Sequence, residues 1–155
     1  RDPIYHSISL QKTHEKICIA QKEDSFILDY MNLIGHREFG INQKPFNYDK
    51  NTTLTKSIFN TKDTKNYWLN SWINAYSWLY DFAKQKKHNN LLFVSYEDIC
   101  DPKSKKINEI FERLNLKKCD QFILKNKNIN NINSFDESLK DKAYEIYSKI
   151  KSLYP

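Results

Sequence analysis

Leu91-Leu92-Phe93-Val94-Ser95 is a short, continuous apolar run that stands between two helical patterns. A run of this kind predicts a strand buried on both faces, as in a parallel sheet. The helix before it spans about residues 63–87, and its regularly spaced apolar side chains are Trp68, Trp72, Ala75, Tyr76, Leu79, Phe82 and Ala83. The helix after it follows Asp101-Pro102 and carries Ile107, Ile110, Phe111 and Leu114. The helix, strand, helix order indicates an α/β fold.

Two helices are predicted before this unit. Asp2 and Pro3 are typical of a helix start, and the first helix is expected to run toward Ala20. A second helix is expected over about residues 24–34. Gly35 ends it, because glycine readily adopts the left-handed conformation that closes a helix.

A loop and a last helix complete the predicted organisation. Residues 36–62 contain glycine, proline, asparagine and a threonine run without sustained periodicity, which predicts a long loop. Residues 134–137, Ser-Phe-Asp-Glu, form a capping box before a final helix with one apolar face. The length of 155 residues suits one domain, so residues 1–155 are predicted to fold as a unit.

The charge of the chain favours small anionic ligands over nucleic acid. The net charge is +6, and it comes almost wholly from lysines scattered between acidic residues, with only Arg1, Arg37 and Arg113 as arginines. A nucleic-acid partner is not expected, because such proteins concentrate their basic residues in one patch. A generally positive field still attracts anions.

The cysteines and the hydropathy pattern bear on compartment and metal content. Cys18, Cys100 and Cys119 are odd in number and lack metal-ligand spacing, so we expect reduced thiols and no metal site. No apolar run approaches the roughly 20 residues of a membrane span. We therefore expect a cytoplasmic protein without a membrane span.

Arg1-Asp2-Pro3 and Ser9 form the segment where ligand chemistry is most reasonable. The guanidinium of Arg1 presents a planar set of donors suited to phosphate, and the adjoining helix start adds amide groups and a positive dipole end. Ser9 lies two turns along the same helix face, roughly 10 Å from its start, so a shared phosphate must lie beside the helix. From the residues alone, a capped helix with a surface serine explains this pattern more simply.

The same segment resembles the 3′-phosphate-binding signature of sulfotransferases, in which an arginine is followed eight residues later by a serine. The matching residues are Arg1 and Ser9, or Ser7 if the register slips. Tyr96-Glu97-Asp98, followed by Asp101-Pro102, is similar to the end of the family's late strand. We expect Tyr96-Glu97-Asp98 to fix the following loop and helix, with no contact to substrate.

The resemblance implies a phosphate-loop NTPase-like sulfotransferase fold that is incomplete at its N-terminus, mostly helical, with a short parallel-sheet remnant. It implies transfer of a sulfuryl group from 3′-phosphoadenosine 5′-phosphosulfate, with no metal, to a hydroxyl or amine of a carbohydrate, lipid or small-molecule acceptor. The segment from Gly35 to Lys62 would supply acceptor walls.

In the family the catalytic base and the 5′-phosphosulfate loop precede the Arg-Asp-Pro segment. No catalytic residue is therefore assigned within residues 1–155, and this chain alone is expected to be inactive. Two alternatives stay open: a fragment of a related nucleotide-phosphate kinase, and a non-catalytic helical interaction module.

Overall fold

The computed structural model describes residues 1–46, 52–60, 63–85, 92–101, 103–117 and 135–153. These ranges contain seven α-helices: α1 (Pro3–Glu23), α2 (Ser25–Leu33), α3 (Thr52–Asn60), α4 (Thr64–Gln85), α5 (Tyr96–Cys100), α6 (Lys106–Arg113) and α7 (Glu137–Leu153). No β-strand occurs within them. None of these helices is long and apolar enough to cross a membrane.

The predicted α/β sulfotransferase fold with a parallel-sheet remnant is wrong for the described part of the chain. Residues 92–95 form no strand, and Leu92 remains 39% exposed. Ser95 is the N-cap of α5, where its hydroxyl accepts a 3.0 Å hydrogen bond from the amide of Asp98. A buried strand needs a neighbouring strand to satisfy its backbone groups, and no described segment provides one.

The core is formed where α4 packs against both α1 and α7. Trp72 of α4 and Ala143 of α7 are almost completely buried at this junction, as is Ile4 of α1. Apolar contact among three helices is the main stabilising contribution in a small helical domain. The buried cluster consists of Ile4, Ile8, Leu69, Trp72, Ile73, Phe135, Ala143 and Ile146.

Helix α4 is buried on two sides, which the sequence pattern did not indicate. Leu69 and Ile73 have no exposed surface, although neither belongs to the predicted apolar stripe. On another side, Tyr67 packs against Phe59 of α3, with ring centroids 5.3 Å apart. A single-stripe pattern describes a helix that lies on a surface, so it identified the buried Trp72 but missed Leu69 and Ile73.

The start of α1 confirms the sequence prediction. The Asp2 carboxylate accepts hydrogen bonds from the amides of Ile4 and Tyr5, at 2.9 and 3.0 Å. Pro3 then occupies the first helical position, where its missing N–H costs nothing. The helix extends to Glu23, slightly beyond the predicted end.

Helix α2 also lies where the sequence placed it. The Asp24 carboxylate accepts a 2.9 Å hydrogen bond from the amide of Phe26, which fixes the start. At the other end Gly35 has a φ of +75°, the left-handed conformation that was expected to terminate the helix. The observed bounds, Ser25–Leu33, fall within the predicted range.

The predicted long loop at 36–62 is interrupted by α3. Thr55 of this helix is 2% exposed, and its hydroxyl accepts a 2.8 Å hydrogen bond from the side-chain amide of Asn70 on α4. The helix is thus held in part by a buried polar contact. Periodicity of apolar residues cannot reveal a contact of that type.

Two further helix starts differ from the prediction. Asp101 opens a turn, and α6 begins only at Lys106. Asp136 provides the side-chain cap of α7, accepting a 3.2 Å hydrogen bond from the amide of Leu139. Ser134, the first residue of the predicted capping box, lies outside the described residues.

Candidate anion-binding site

Glu97 connects the beginning of α1 to α7. Its Oε1 accepts a 2.8 Å hydrogen bond from the main-chain amide of Asp2, and its Oε2 accepts a 3.0 Å hydrogen bond from the hydroxyl of Tyr147. These contacts span 95 and 50 positions in the sequence. Glu97 of the Tyr-Glu-Asp segment therefore links the start of α1 to α7, next to Arg1.

The ionisation of Glu97 and Tyr147 suits this arrangement. Burial opposes the charge on Glu97, but the hydrogen bonds from Asp2 and Tyr147 outweigh it and lower the pKa of the carboxyl. Burial, together with the nearby Glu97 carboxylate, raises the pKa of the Tyr147 phenol. At neutral pH the glutamate is an acceptor and the tyrosine a donor.

Arg1 is positioned by an aromatic ring. Its guanidinium carbon lies 4.8 Å from the centroid of the Tyr96 ring, a cation–π geometry. Among the described residues, no carboxylate forms an ion pair with this guanidinium. Stacking on a ring leaves the in-plane N–H donors able to reach an anion.

Arg1 lines a cavity of about 300 Å³. Arg1, Lys106 and Lys151 contribute positive charge to its lining, while Asp98 contributes a negative charge. Lys106 also forms a 3.0 Å ion pair with Glu109, which partly neutralises its positive charge. The net charge of the described lining residues remains positive, so the cavity favours an anionic ligand.

Aromatic and aliphatic side chains form the rest of this cavity. Tyr76 and Tyr147 line it, and the Lys151 ammonium lies 5.5 Å from the centroid of the Tyr147 ring. Phe93, in the run predicted as a strand, is also part of the lining. Mixed apolar and cationic walls suit a ligand that joins a flat ring to phosphate groups.

The helix tip is not where an anion would bind. The Asp2 carboxylate already accepts hydrogen bonds from two amides of the first turn of α1. A second anion would compete with this carboxylate for the same donors. The amide contribution expected from the sequence is therefore taken by the protein's own cap, and the side chain of Arg1 is the donor left for a ligand.

The two candidate serines differ in accessibility. Ser7 is 1% exposed, and its hydroxyl donates a 2.7 Å hydrogen bond to the carbonyl of Pro3. Ser9 is therefore the more accessible of the two candidate serines. Ser9 is partly exposed on α1, but it does not belong to the described lining of the cavity at Arg1. Arg1 and Ser9 therefore do not share this cavity in the described part of the chain.

His6 packs next to this site and is largely buried. Burial, reinforced by the positive charge of Arg1, lowers its pKa to about 4. Its ring meets Tyr76 edge-on at 6.2 Å, and its Nδ1 is buried without a hydrogen-bond partner among the described residues. At neutral pH it is an uncharged packing residue.

Sequence reasoning missed Lys106, Lys151 and Tyr147 as members of this site. Lys106 and Lys151 stand among many surface lysines, and Tyr147 belongs to the apolar face of the last helix. Nothing in their local pattern separates them from solvated or core residues. The signal that brings them together is the packing of α6 and α7 near Arg1, which is a tertiary property.

Among the described residues, no group of three potential metal ligands is placed to hold an ion. Cys18 and Cys100 are free thiols, and Cys119 lies outside the described residues.

The described part of the chain is a helical protein with a positively charged cavity. No family model, no curated protein and no solved structure matches this chain.

Proposed function

We propose that this chain is the donor-binding part of a sulfotransferase, with Arg1 as a ligand of the 3′-phosphate of 3′-phosphoadenosine 5′-phosphosulfate. The observation that carries the proposal is the contact between the two segments that resemble the family. The amide of Asp2 donates to Glu97, and the guanidinium of Arg1 stacks on Tyr96. Two short motifs far apart in sequence thus meet at one place.

The electrostatics of the cavity support a phosphate-bearing ligand. Arg1 and Lys151 are each held against a tyrosine ring, so two cations are partly ordered before a ligand arrives. A cation that is already ordered loses less side-chain conformational entropy when the ligand binds. Ser9 would be a second phosphate ligand only for a group that lies beside α1, outside the described lining of the cavity at Arg1.

The reaction would be an in-line transfer. The acceptor oxygen or nitrogen attacks the sulfur atom of the donor. The bond between this sulfur and the phosphate oxygen breaks, and adenosine 3′,5′-bisphosphate leaves. Enzymes that catalyse such transfers mainly position the reactants and stabilise charge on the leaving group. Arg1 would anchor the leaving nucleotide. The base that accepts the proton is not assigned to a residue of this chain.

The cellular setting follows from the same proposal. The free thiols of Cys18 and Cys100 suit a reducing compartment. We propose a cytoplasmic location, where a nucleotide donor would be available to the protein.

Nucleotide titration tests the proposal directly. Calorimetry on the chain should show binding of adenosine 3′,5′-bisphosphate and much weaker binding of adenosine 5′-monophosphate, which lacks the 3′-phosphate. Arg1→Ala should weaken binding of the bisphosphate by about 10- to 100-fold, the usual cost of losing a charged hydrogen bond.

Arg37→Ala provides the matched control, because it removes an exposed arginine from the loop after α2. It should leave binding of the bisphosphate unchanged. Equal affinity for the two nucleotides would contradict the assignment of a 3′-phosphate site. So would an equal effect of the two arginine variants, since the loss would then reflect net charge alone.

One observation favours the alternative of a helical interaction module. Phe26, Tyr30, Leu33 and Ile34 are exposed along one side of α2 and its end, with Leu33 at 83%. Apolar patches of this kind often mark a contact with another protein. A chain that binds neither nucleotide, yet self-associates or captures a protein through this stripe, would favour that alternative.

A further inference from the structure

A second cavity lies among α1, α3, α4 and the loop after α2. Its volume is about 490 Å³, and none of its described lining residues also lines the cavity at Arg1. Sites for small molecules commonly measure about 300 to 1,000 Å³. This cavity is therefore large enough for a ligand, and it is separate from the proposed donor site.

The loop that forms one wall of this cavity is firmly held. Gln21 of α1 accepts a 2.7 Å hydrogen bond from the amide of Ile41, and His14 Nδ1 accepts a 3.2 Å hydrogen bond from the amide of Gly40. Gly40 has a φ of +90°, and a Cβ there would lie 2.8 Å from Gln21 Cδ. The close approach of loop and helix means that this wall exists before a ligand binds.

The walls provide an apolar surface. Ile41 contributes from the loop, Phe59 from α3 and Trp68 from α4. Trp68 is 5% exposed and stacks on Phe39 with centroids 5.3 Å apart, so its ring is fixed in place. A flat or ring-sized apolar body would gain hydrophobic and aromatic contact here.

The charge of the lining is opposite to that at Arg1. Among the described lining residues, Asp63 contributes a negative charge, and no lysine or arginine contributes a positive one. Its Oδ2 accepts a 2.7 Å hydrogen bond from the side chain of Asn66, which orients the carboxylate at the start of α4. Burial lowers the pKa of His14 and raises the pKa of Cys18, so both are neutral at pH 7.

His14 and Cys18 do not form a nucleophilic pair. Because His14 Nδ1 accepts from the amide of Gly40, the proton of the neutral ring lies on Nε2. That nitrogen is 3.5 Å from Cys18 Sγ and therefore donates toward sulfur. It cannot also remove a proton from the thiol, so the cavity has the chemistry of a binding site.

We propose that this cavity binds a small organic cation, in which an apolar ring rests against Phe59 and Trp68 while a protonated amine lies near Asp63. The charge of the lining disfavours a carboxylate or phosphate in the same place. The proposal does not depend on sulfotransferase activity, because it uses none of the residues at Arg1.

Three matched fluorinated compounds test it by fluorine NMR on the intact chain: 4-fluorophenethylamine, 4-fluorophenylethanol and 4-fluorophenylacetate. They share a ring and differ in charge. We expect the amine to bind most tightly and the carboxylate least. Asp63→Asn should weaken binding of the amine by about threefold to fivefold, the usual range for an exposed ion pair. It should leave the affinity for the alcohol unchanged.

Asp29→Asn is the control, since it removes an exposed aspartate on α2 away from the cavity. Asparagine caps a helix about as well as aspartate, so Asp63→Asn should fold normally. Equal affinity of the three compounds would overturn the proposal, as would the absence of binding. An equal effect of the two variants would place the amine elsewhere on the protein and overturn it too.

Discussion

The amide of Asp2 and the carboxylate of Glu97 are joined by a 2.8 Å hydrogen bond across 95 positions of sequence. Asp2 at the same time caps α1 with its own carboxylate. Glu97 reaches α7 through the hydroxyl of Tyr147. Three separate segments are thus fixed around one ionised carboxylate, and the neighbouring Arg1 takes its position from the same arrangement.

Replacing Glu97 and Tyr147 should show that the two side chains are energetically coupled. Glu97→Gln should lower the free energy of unfolding by about 1 to 3 kcal/mol, because a charged acceptor is lost. Tyr147→Phe should cost about 1 kcal/mol. The double variant should cost less than the sum, since both substitutions act on the same hydrogen bond. Urea unfolding of the four proteins measures these values, and strict additivity would contradict the coupling.

His6 should make the stability of the protein depend on pH. Burial lowers its pKa from 6.5 in the unfolded chain to about 4 in the folded state. Between these two values the unfolded chain binds more protons than the folded one, so the free energy of unfolding falls as the pH drops. The loss amounts to at most about 3 kcal/mol over the window from pH 6.5 to 4.

His6→Phe is the comparison that isolates this effect. Phenylalanine can keep the contact with Tyr76 and cannot be protonated. We expect its unfolding free energy to depend less steeply on pH than that of the wild type between pH 6.5 and 4, with parallel curves above pH 7. Identical slopes for the two proteins would show that His6 is not held in its neutral form.

The start of α1, the end of α2 and the position of α7 were largely predictable. Asp2 at the start of α1, Gly35 after α2 and Ala143 in α7 occupy the positions that their residue types favour. Caps and apolar periodicity are local properties, so a single sequence contains them. The remaining positions depend on which segments meet in space.

The run at 92–95 shows where local reasoning fails. Its composition suits a buried strand, but a strand exists only where another strand pairs with it. In the described chain Ser95 instead caps a short helix, and Phe93 lines a cavity with Lys151. Neither role has a local signal. The candidate site was predictable at Arg1 alone, because the other cations reach it through tertiary packing.

Gly40 and Gly35 form a matched pair for testing how tightly the loop after α2 is packed. Both have positive φ values, so alanine strains the backbone at either position by about 1 kcal/mol or slightly more. A Cβ at Gly35 meets nothing within 4 Å, whereas one at Gly40 collides with Gln21. Gln21 would have to move and give up the hydrogen bond that it accepts from the amide of Ile41, so Gly40→Ala should cost about 1 kcal/mol more than Gly35→Ala. Equal melting temperatures for the two variants would refute the close contact.

The two-sided burial of α4 distinguishes the structure from the sequence pattern. The pattern places Leu79 in the apolar stripe and leaves out Leu69, but Leu69 has no exposed surface while Leu79 is only partly buried. Leu69→Ala should cost about 2 to 5 kcal/mol of unfolding free energy, since it removes contacts and leaves a cavity. Leu79→Ala should cost clearly less, and Leu33→Ala, on an exposed side chain, no more than about 0.5 kcal/mol. Chemical denaturation of the three variants gives this order directly. A larger loss at Leu79 than at Leu69 would contradict the complete burial of Leu69 between α4 and its neighbours.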